Sequence, residues 1–322
     1  METLFAHNGP KAFWFYSFLS SILFCVSLYG ESIQFERIPN ELGLSQNFIS
    51  CLYQDRQGFL WVGTKDGLNR FDGYQFKVFR SDAFDSTTLS HNFIKSIIED
   101  RSGRLWIGTA NGLNLMDREQ ETFSRIMVQS DRKAGLSRKE INDIAVDKAG
   151  NIWVITAGGG LNKITIGEAA KNTEEATITH FPTSEMKKEL WPTSAKTLEV
   201  DRSDAIWVHG YDGLFRILRD SGTNEYHIDR ITWDDLNPNL QVNNIEDFYY
   251  SENNISRIDK RIYTIFKGID DQVWVETAAG LAAWDSGQQT FQFQELKVKA
   301  DYYSSHPLPN CFPKPYTSLP QN

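Results

Sequence analysis

Six histidines, His7, His91, His180, His209, His227 and His306, are scattered through 322 residues, and no two share a spacing that would set them on one metal ion. No Gly-x-Ser-x-Gly turn is present to expose a nucleophilic serine. Carboxylates are plentiful, but they fall in turns, where an Asp side chain bonds the local backbone. No catalytic residue, metal site or cofactor is therefore assigned. The chemistry on offer is hydrogen bonding by Lys65, Asp66, Asn111, His209, Tyr211, Asp212 and Glu276. Charged groups, an amide and aromatic faces suit the hydroxyls of a small molecule or oligosaccharide. These residues form a candidate ligand-binding set because of the elements that must position them.

Those elements repeat. Five segments align with one another: DRQGFLWVGT (55–64), DRSGRLWIGT (100–109), DKAGNIWVIT (147–156), DRSDAIWVHG (201–210) and GIDDQVWVET (268–277). Their tryptophans are Trp61, Trp106, Trp153, Trp207 and Trp274, and a Gly-Leu pair follows each after six or seven residues. Nine residues before each Trp stands Leu52, Ile97, Ile144, Leu198 or Ile265; twelve before stands Ile49, Ile94, Ile141, Ala195 or Ile262. Two after each Trp stands Gly63, Gly108, Ile155, His209 or Glu276, a column that abandons Gly for polar groups in the last two units.

The second unit shows what one repeat must build. Phe93 to Glu99 is a β-branched strand, Asp100-Arg101-Ser102-Gly103 a tight turn, and Leu105-Trp106-Ile107 a second strand with apolar residues in succession. Ala110-Asn111-Gly112 turns into a third strand and Asp117 to Glu121 into a fourth, Thr122 to Val128. Four short antiparallel strands, apolar on both faces, must stack on similar units at each side. The fold class is therefore all-β, a β-propeller of about five to seven four-stranded antiparallel blades, with ring closure left open by the five recognisable units. The five Trp are blade-core residues, each contributing on the order of 2 kcal/mol or more by burial. The loops joining second to third strands share a face with the loops between blades, and most of the candidate binding residues lie there, with His209 and Glu276 close behind.

Composition agrees: 40% apolar, 13% aromatic and 23% charged residues describe a folded chain. A formal charge of −9 argues against nucleic acid as a partner. Residues 1–30 hold an apolar run from Ala12 to Tyr29 after Lys11, which reads as a signal peptide or an N-terminal anchor. Either reading exports the remainder, to the periplasm or to the periplasmic side of the inner membrane. Cys25, Cys51 and Cys311 make no disulfide framework. Residues 165–185 and 232–256 read as surface insertions, and 301–322 as a Pro-rich tail that is disordered or frameshifted.

The run FERIPNELGLSQNFISCLYQDRQGFLWVGTKDGLNRFDGYQFKVFRSD, followed by LSHNFIKSIIEDRSGRLWIGTANGLNLMD, closely resembles the two-component regulator propeller repeat. That resemblance covers roughly residues 31–300 and implies the periplasmic sensor region of hybrid histidine kinases or diguanylate cyclases, here without its output domain. It is looser in the last two units, where Asp204 and Asp271 replace the turn Gly and Gly268 the leading Asp. The expectation is an exported ligand-sensing propeller without kinase or cyclase activity, its partners a small molecule or oligosaccharide and a homodimer mate or neighbouring propeller. The alternatives are a propeller lyase or glycoside hydrolase, for which the Asp-x-x-Gly-x-x-Trp element resembles a sialidase Asp-box with one extra residue, and a stand-alone protein-interaction propeller.

Overall fold

Each Asp-led turn of the repeat joins two strands, and the strands collect into four-stranded sheets that follow chain order. The computed structural model describes residues 38, 42–129, 135–158, 160–181, 195–210, 213–220, 222–223, 225–231, 262–268, 271–277 and 280–294. Blade 1 contains β1 (Ile49–Gln54), β2 (Leu60–Thr64), β3 (Gly67–Phe71) and β4 (Phe76–Phe79). Blade 2 contains β5 (Ile94–Glu99), β6 (Leu105–Thr109), β7 (Gly112–Asp117) and β8 (Thr122–Ile126). Blade 3 contains β9 (Ile141–Val146), β10 (Ile152–Thr156), β11 (Gly160–Thr165) and β12 (Thr177–Phe181). Blade 4 contains β13 (Ala195–Val200), β14 (Ile206–Gly210), β15 (Gly213–Arg219) and β16 (Tyr226–Ile231). Blade 5 contains β17 (Ile262–Lys267), β18 (Val273–Thr277), β19 (Gly280–Asp285) and β20 (Thr290–Gln294).

All pairings are antiparallel between consecutive strands, the arrangement expected of propeller blades. The first strands β1, β5, β9, β13 and β17 pack on one another in that order, so they converge while the fourth strands lie outside. Among the described residues, no strand of blade 1 packs on blade 5 as successive blades do.

One carboxylate closes the turn of each of the first four blades. An oxygen of Asp55, Asp100, Asp147 and Asp201 accepts the indole N–H of Trp61, Trp106, Trp153 and Trp207 at 2.8–2.9 Å. The other oxygen accepts turn amides, as Asp100 does from Ser102 and Arg104. These four tryptophans are 0–1% exposed. Gly58, Gly103 and Gly150 take φ of 92°, 80° and 81° in the turn, and Asp204 (72°) and Asp271 (59°) adopt the same left-handed backbone where they replace Gly. Gly63 and Gly108 have a different reason. A Cβ on Gly108 would lie 2.6 Å from Cγ2 of Ile141 on the next blade's first strand.

Cores form between blades. Trp61 and Phe79 of blade 1 meet Ile97, Leu105 and Ile107 of blade 2, and Trp106 meets Ile144, Ile152 and Val154 of blade 3. Trp153 meets Leu198, Ile206 and Val208 of blade 4, and Trp207 meets Ile265, Val273 and Val275 of blade 5. Each Trp thus belongs to a trailing face and each aliphatic to the leading face of the blade that follows.

The stretch 165–185 is more than a surface insertion, because it carries β12, the outer strand of blade 3. Its alternation Thr177-Ile178-Thr179-His180-Phe181 supplies the period of two that a strand needs. Residues 1–30, 232–256 and 301–322 lie outside the described residues.

Candidate functional site

The loop face is built by a buried polar network in the first three blades. Asn69, on β3, accepts the Ser45 amide at 2.9 Å and donates to the Val62 carbonyl at 3.1 Å. Ser45 Oγ and Thr64 Oγ1 share a hydrogen bond of 2.9 Å, and Thr64 Oγ1 donates to the Gly67 carbonyl. Asn114 with Ser90 and Thr109, and Asn162 with Ser137 and Thr156, repeat the pattern. Buried and satisfied, these groups fix the inter-blade segment against the β2–β3-type turn. Backbone bonds from Gly67 to Asn92 and from Gly112 to Lys139 tie the turn of one blade to the segment entering the next, so both sets of loops share one face. The repeated Gly-Leu-Asn and Leu-Ser pairs carried this signal in the sequence. The network ends where Phe215 and Ala282 replace the Asn.

On that face Lys65 stands beside two aromatic rings. Its ammonium lies 4.1 Å from the Phe48 ring centroid and 5.7 Å from that of Phe93. Phe48 and Phe93 meet edge to face at 6.4 Å, and Phe48 is 51% exposed. Lys95 covers Phe93 from 4.8 Å while its ammonium pairs with Glu140 at 2.8 Å. Among the described residues no carboxylate pairs with Lys65. The result is a partly exposed aromatic platform with two cations, at the point where blades 1 and 2 meet. Phe48, Phe93, Lys95 and Glu140 were missed in the sequence, where Phe immediately before a β-branched strand reads as core.

The other candidate residues are placed apart from this platform. Asp66 neighbours Lys65 but is held by Arg80 at 3.0 Å. Asn111 caps the β6–β7 turn through its amide on Thr109. His209 is 4% exposed, and its ring nitrogens face Thr197 Oγ1 at 3.3 Å and the Ile262 carbonyl at 3.0 Å. Burial pushes this imidazole below its ordinary pKa, so it acts as a neutral bridge between blades 4 and 5. Glu276 is exposed in the same column of blade 5. Tyr211 and Asp212 lie outside the described residues.

Two acids on the first strands are shifted. Burial raises Asp143 to about 6 against the bonds it accepts from Ser96, Ile144 and Leu198. Burial raises Glu199 to about 7, with the charge of Asp143 adding and Lys267 opposing. Asp143 reaches blade 2 through Ser96 and blade 4 through Leu198, so its partners are structural. Cys51 is pushed up to about 12 by burial, which makes it an inert thiol. Among the described residues no group of three His, Cys, Asp or Glu could hold a metal ion.

A cavity of about 210 Å³ opens at the opposite, Asp-turn end of blades 4 and 5, lined by Asp201, Arg202, Asp271, Gln272, Trp284 and Ser286. At the blade 1–2 junction the corresponding place is filled by Arg118, which bridges Asp55 at 2.6 Å and Glu99 at 3.0 Å. Ser286 is too short to do the same.

The family description Two component regulator propeller matches residues 43–66 and 88–111, the entry to blades 1 and 2. Histidine kinase P4 of Formosa agariphila is 53% identical over 47 residues, which is 15% of this chain and 3% of that protein. The extracellular domain assigned to the hybrid two component system BT3049 of B. thetaiotaomicron superposes with a TM-score of 0.58 at 21% identity, covering 80% of this chain and 31% of that one. That assigned to BT4673 of the same organism gives 0.54 at 23%, covering 79% and 30%. Virginiamycin B lyase from Staphylococcus aureus gives 0.50 at 14%, covering 84% and 76%. The chain thus spans about a third of the two extracellular domains, and these likenesses establish the blade fold. On residues 43–66 and 88–111 the chain is similar to the two component regulator propeller repeat.

Proposed function

We propose that this chain is an extracytoplasmic ligand-binding propeller of a two-component-type receptor, which takes an oligosaccharide without catalysing a reaction on it. The observation that carries the reading is the Phe48–Lys65–Phe93–Lys95 platform on the loop face. Apolar ring faces pack on the C–H faces of sugars, and ammonium groups donate to hydroxyls or pair with uronate carboxylates. The matched repeats and the likeness to sensor extracellular domains support the receptor setting. The apolar run at 12–29 supports a periplasmic or inner-membrane-anchored location.

A thermal-shift panel of neutral and acidic oligosaccharides tests this reading. A rise in melting midpoint is expected for at least one glycan class, and Lys65→Ala should reduce it. Absence of a shift with every glycan, or a shift accompanied by glycan cleavage, would overturn it.

A further inference from the structure

The repeat supplies its own measure of which apolar faces lack a cover. In the column nine residues before each Trp, Ile97, Ile144, Leu198 and Ile265 are 7%, 4%, 1% and 3% exposed, whereas Leu52 is 60% exposed. In the column twelve before, Ile94, Ile141 and Ala195 are 0%, 0% and 5% exposed, whereas Ile49 is 47% exposed. Both departures lie on the leading face of blade 1. Those aliphatics match their buried counterparts in apolar character, and the absence of a neighbouring blade among the described residues distinguishes them.

The opposite departure appears at the other end. Trp61, Trp106, Trp153 and Trp207 are at most 1% exposed, but Trp274 is only half-buried. Phe266 lies parallel to it, with ring centroids 6.4 Å apart and planes 8° apart, and is 38% exposed. Its counterparts Ile98 and Ala145 pack into the inter-blade cores. Both aromatics belong to the trailing face of blade 5.

Four internal junctions show what covers a leading face: the Trp-bearing trailing face of another blade. Among the described residues, the chain presents one uncovered face of each kind. We propose that two copies of the chain join head to tail, with Phe266 and Trp274 of blade 5 in one copy seated on Ile49 and Leu52 of blade 1 in the other. The contact is heterologous, because a leading face matches a trailing face and not its own kind. It repeats the chemistry of an internal junction, apolar burial with an aromatic over branched aliphatics. Each joined pair still presents one face of each kind, so assembly continues as concentration rises unless the rotation closes.

Light scattering on the full chain, across a hundredfold range of concentration, reads the association directly. Leu52→Glu and Phe266→Glu each place a charge on one exposed face and should weaken association at least tenfold, with thermal midpoints close to that of the unaltered chain. Ile49→Glu gives a second variant of the leading face. The deciding arm mixes the Leu52→Glu and Phe266→Glu chains. Each retains the face the other has lost, so the mixture should form a 1:1 pair that grows no further, although neither associates alone. An unaltered chain that stays monomeric, because residues outside the described set cover both faces, would overturn the proposal. So would association that survives both substitutions, or variants that fail to pair when mixed.

Discussion

At the residue scale, single side chains carry loads that their neighbours in the repeat reveal. Asp100 accepts the Trp106 indole, the side chain of Arg104 at 2.6 Å and two turn amides, all while 1% exposed. Asp100→Ala leaves these donors unpaired and should cost about 3 kcal/mol in denaturant unfolding. Glu199 gives a pH-dependent test. Its folded pKa is raised to about 7 from the ordinary 4.5 of a Glu, so the folded state binds the extra proton in that window. Its contribution is fully present below about pH 4.5 and is lost as pH rises through about 7. Glu199→Gln should therefore raise the melting midpoint at pH 8 and leave it nearly unchanged at pH 4.5. An equal effect at both pH values would contradict the assigned burial.

At the element scale, spacing between blades decides which residues a strand tolerates. Gly108 packs against the first strand of blade 3, and Gly108→Ala would drive its Cβ to 2.6 Å from Ile141 Cγ2. A loss of roughly 1–3 kcal/mol is expected from this overpacking. Asp271 holds a left-handed φ of 59° and is exposed. Asp271→Gly should gain about 0.5–1 kcal/mol by relieving it, read as a higher midpoint in urea. The strands were legible in the sequence because they repeat in all five units, and the Asp-led turns because they repeat in the first four. The binding face was legible only in part. His209 stands in a column that begins with Gly63 and Gly108, and its polarity suggested contact with a ligand, yet the next blade buries it. Phe93 read as the first residue of an ordinary strand, and the exposure of Phe48 and Phe93 depends on how two blades meet.

At the scale of the whole molecule, the five blades stack in chain order with a distinct face at each end. A count of repeats left ring closure open, and which aliphatics and aromatics are bare among the described residues is set by the direction in which each blade leans on the next. The loop face, in contrast, is anchored by the Asn–Ser–Thr network in blades 1–3, and the exposed Phe48–Lys65–Phe93–Lys95 platform sits within that anchored part. A rigid aromatic platform loses little conformational freedom on binding, which suits recognition of a flexible glycan. Calorimetric titration of acidic and neutral oligosaccharides into the full chain, and into the Phe48→Ala, Lys65→Ala double variant, tests the binding claim most directly. The account predicts saturable heat with the unaltered chain and at least a tenfold weaker affinity in the variant at an unchanged melting midpoint. Equal affinity in both chains, or no heat with any glycan, would contradict it.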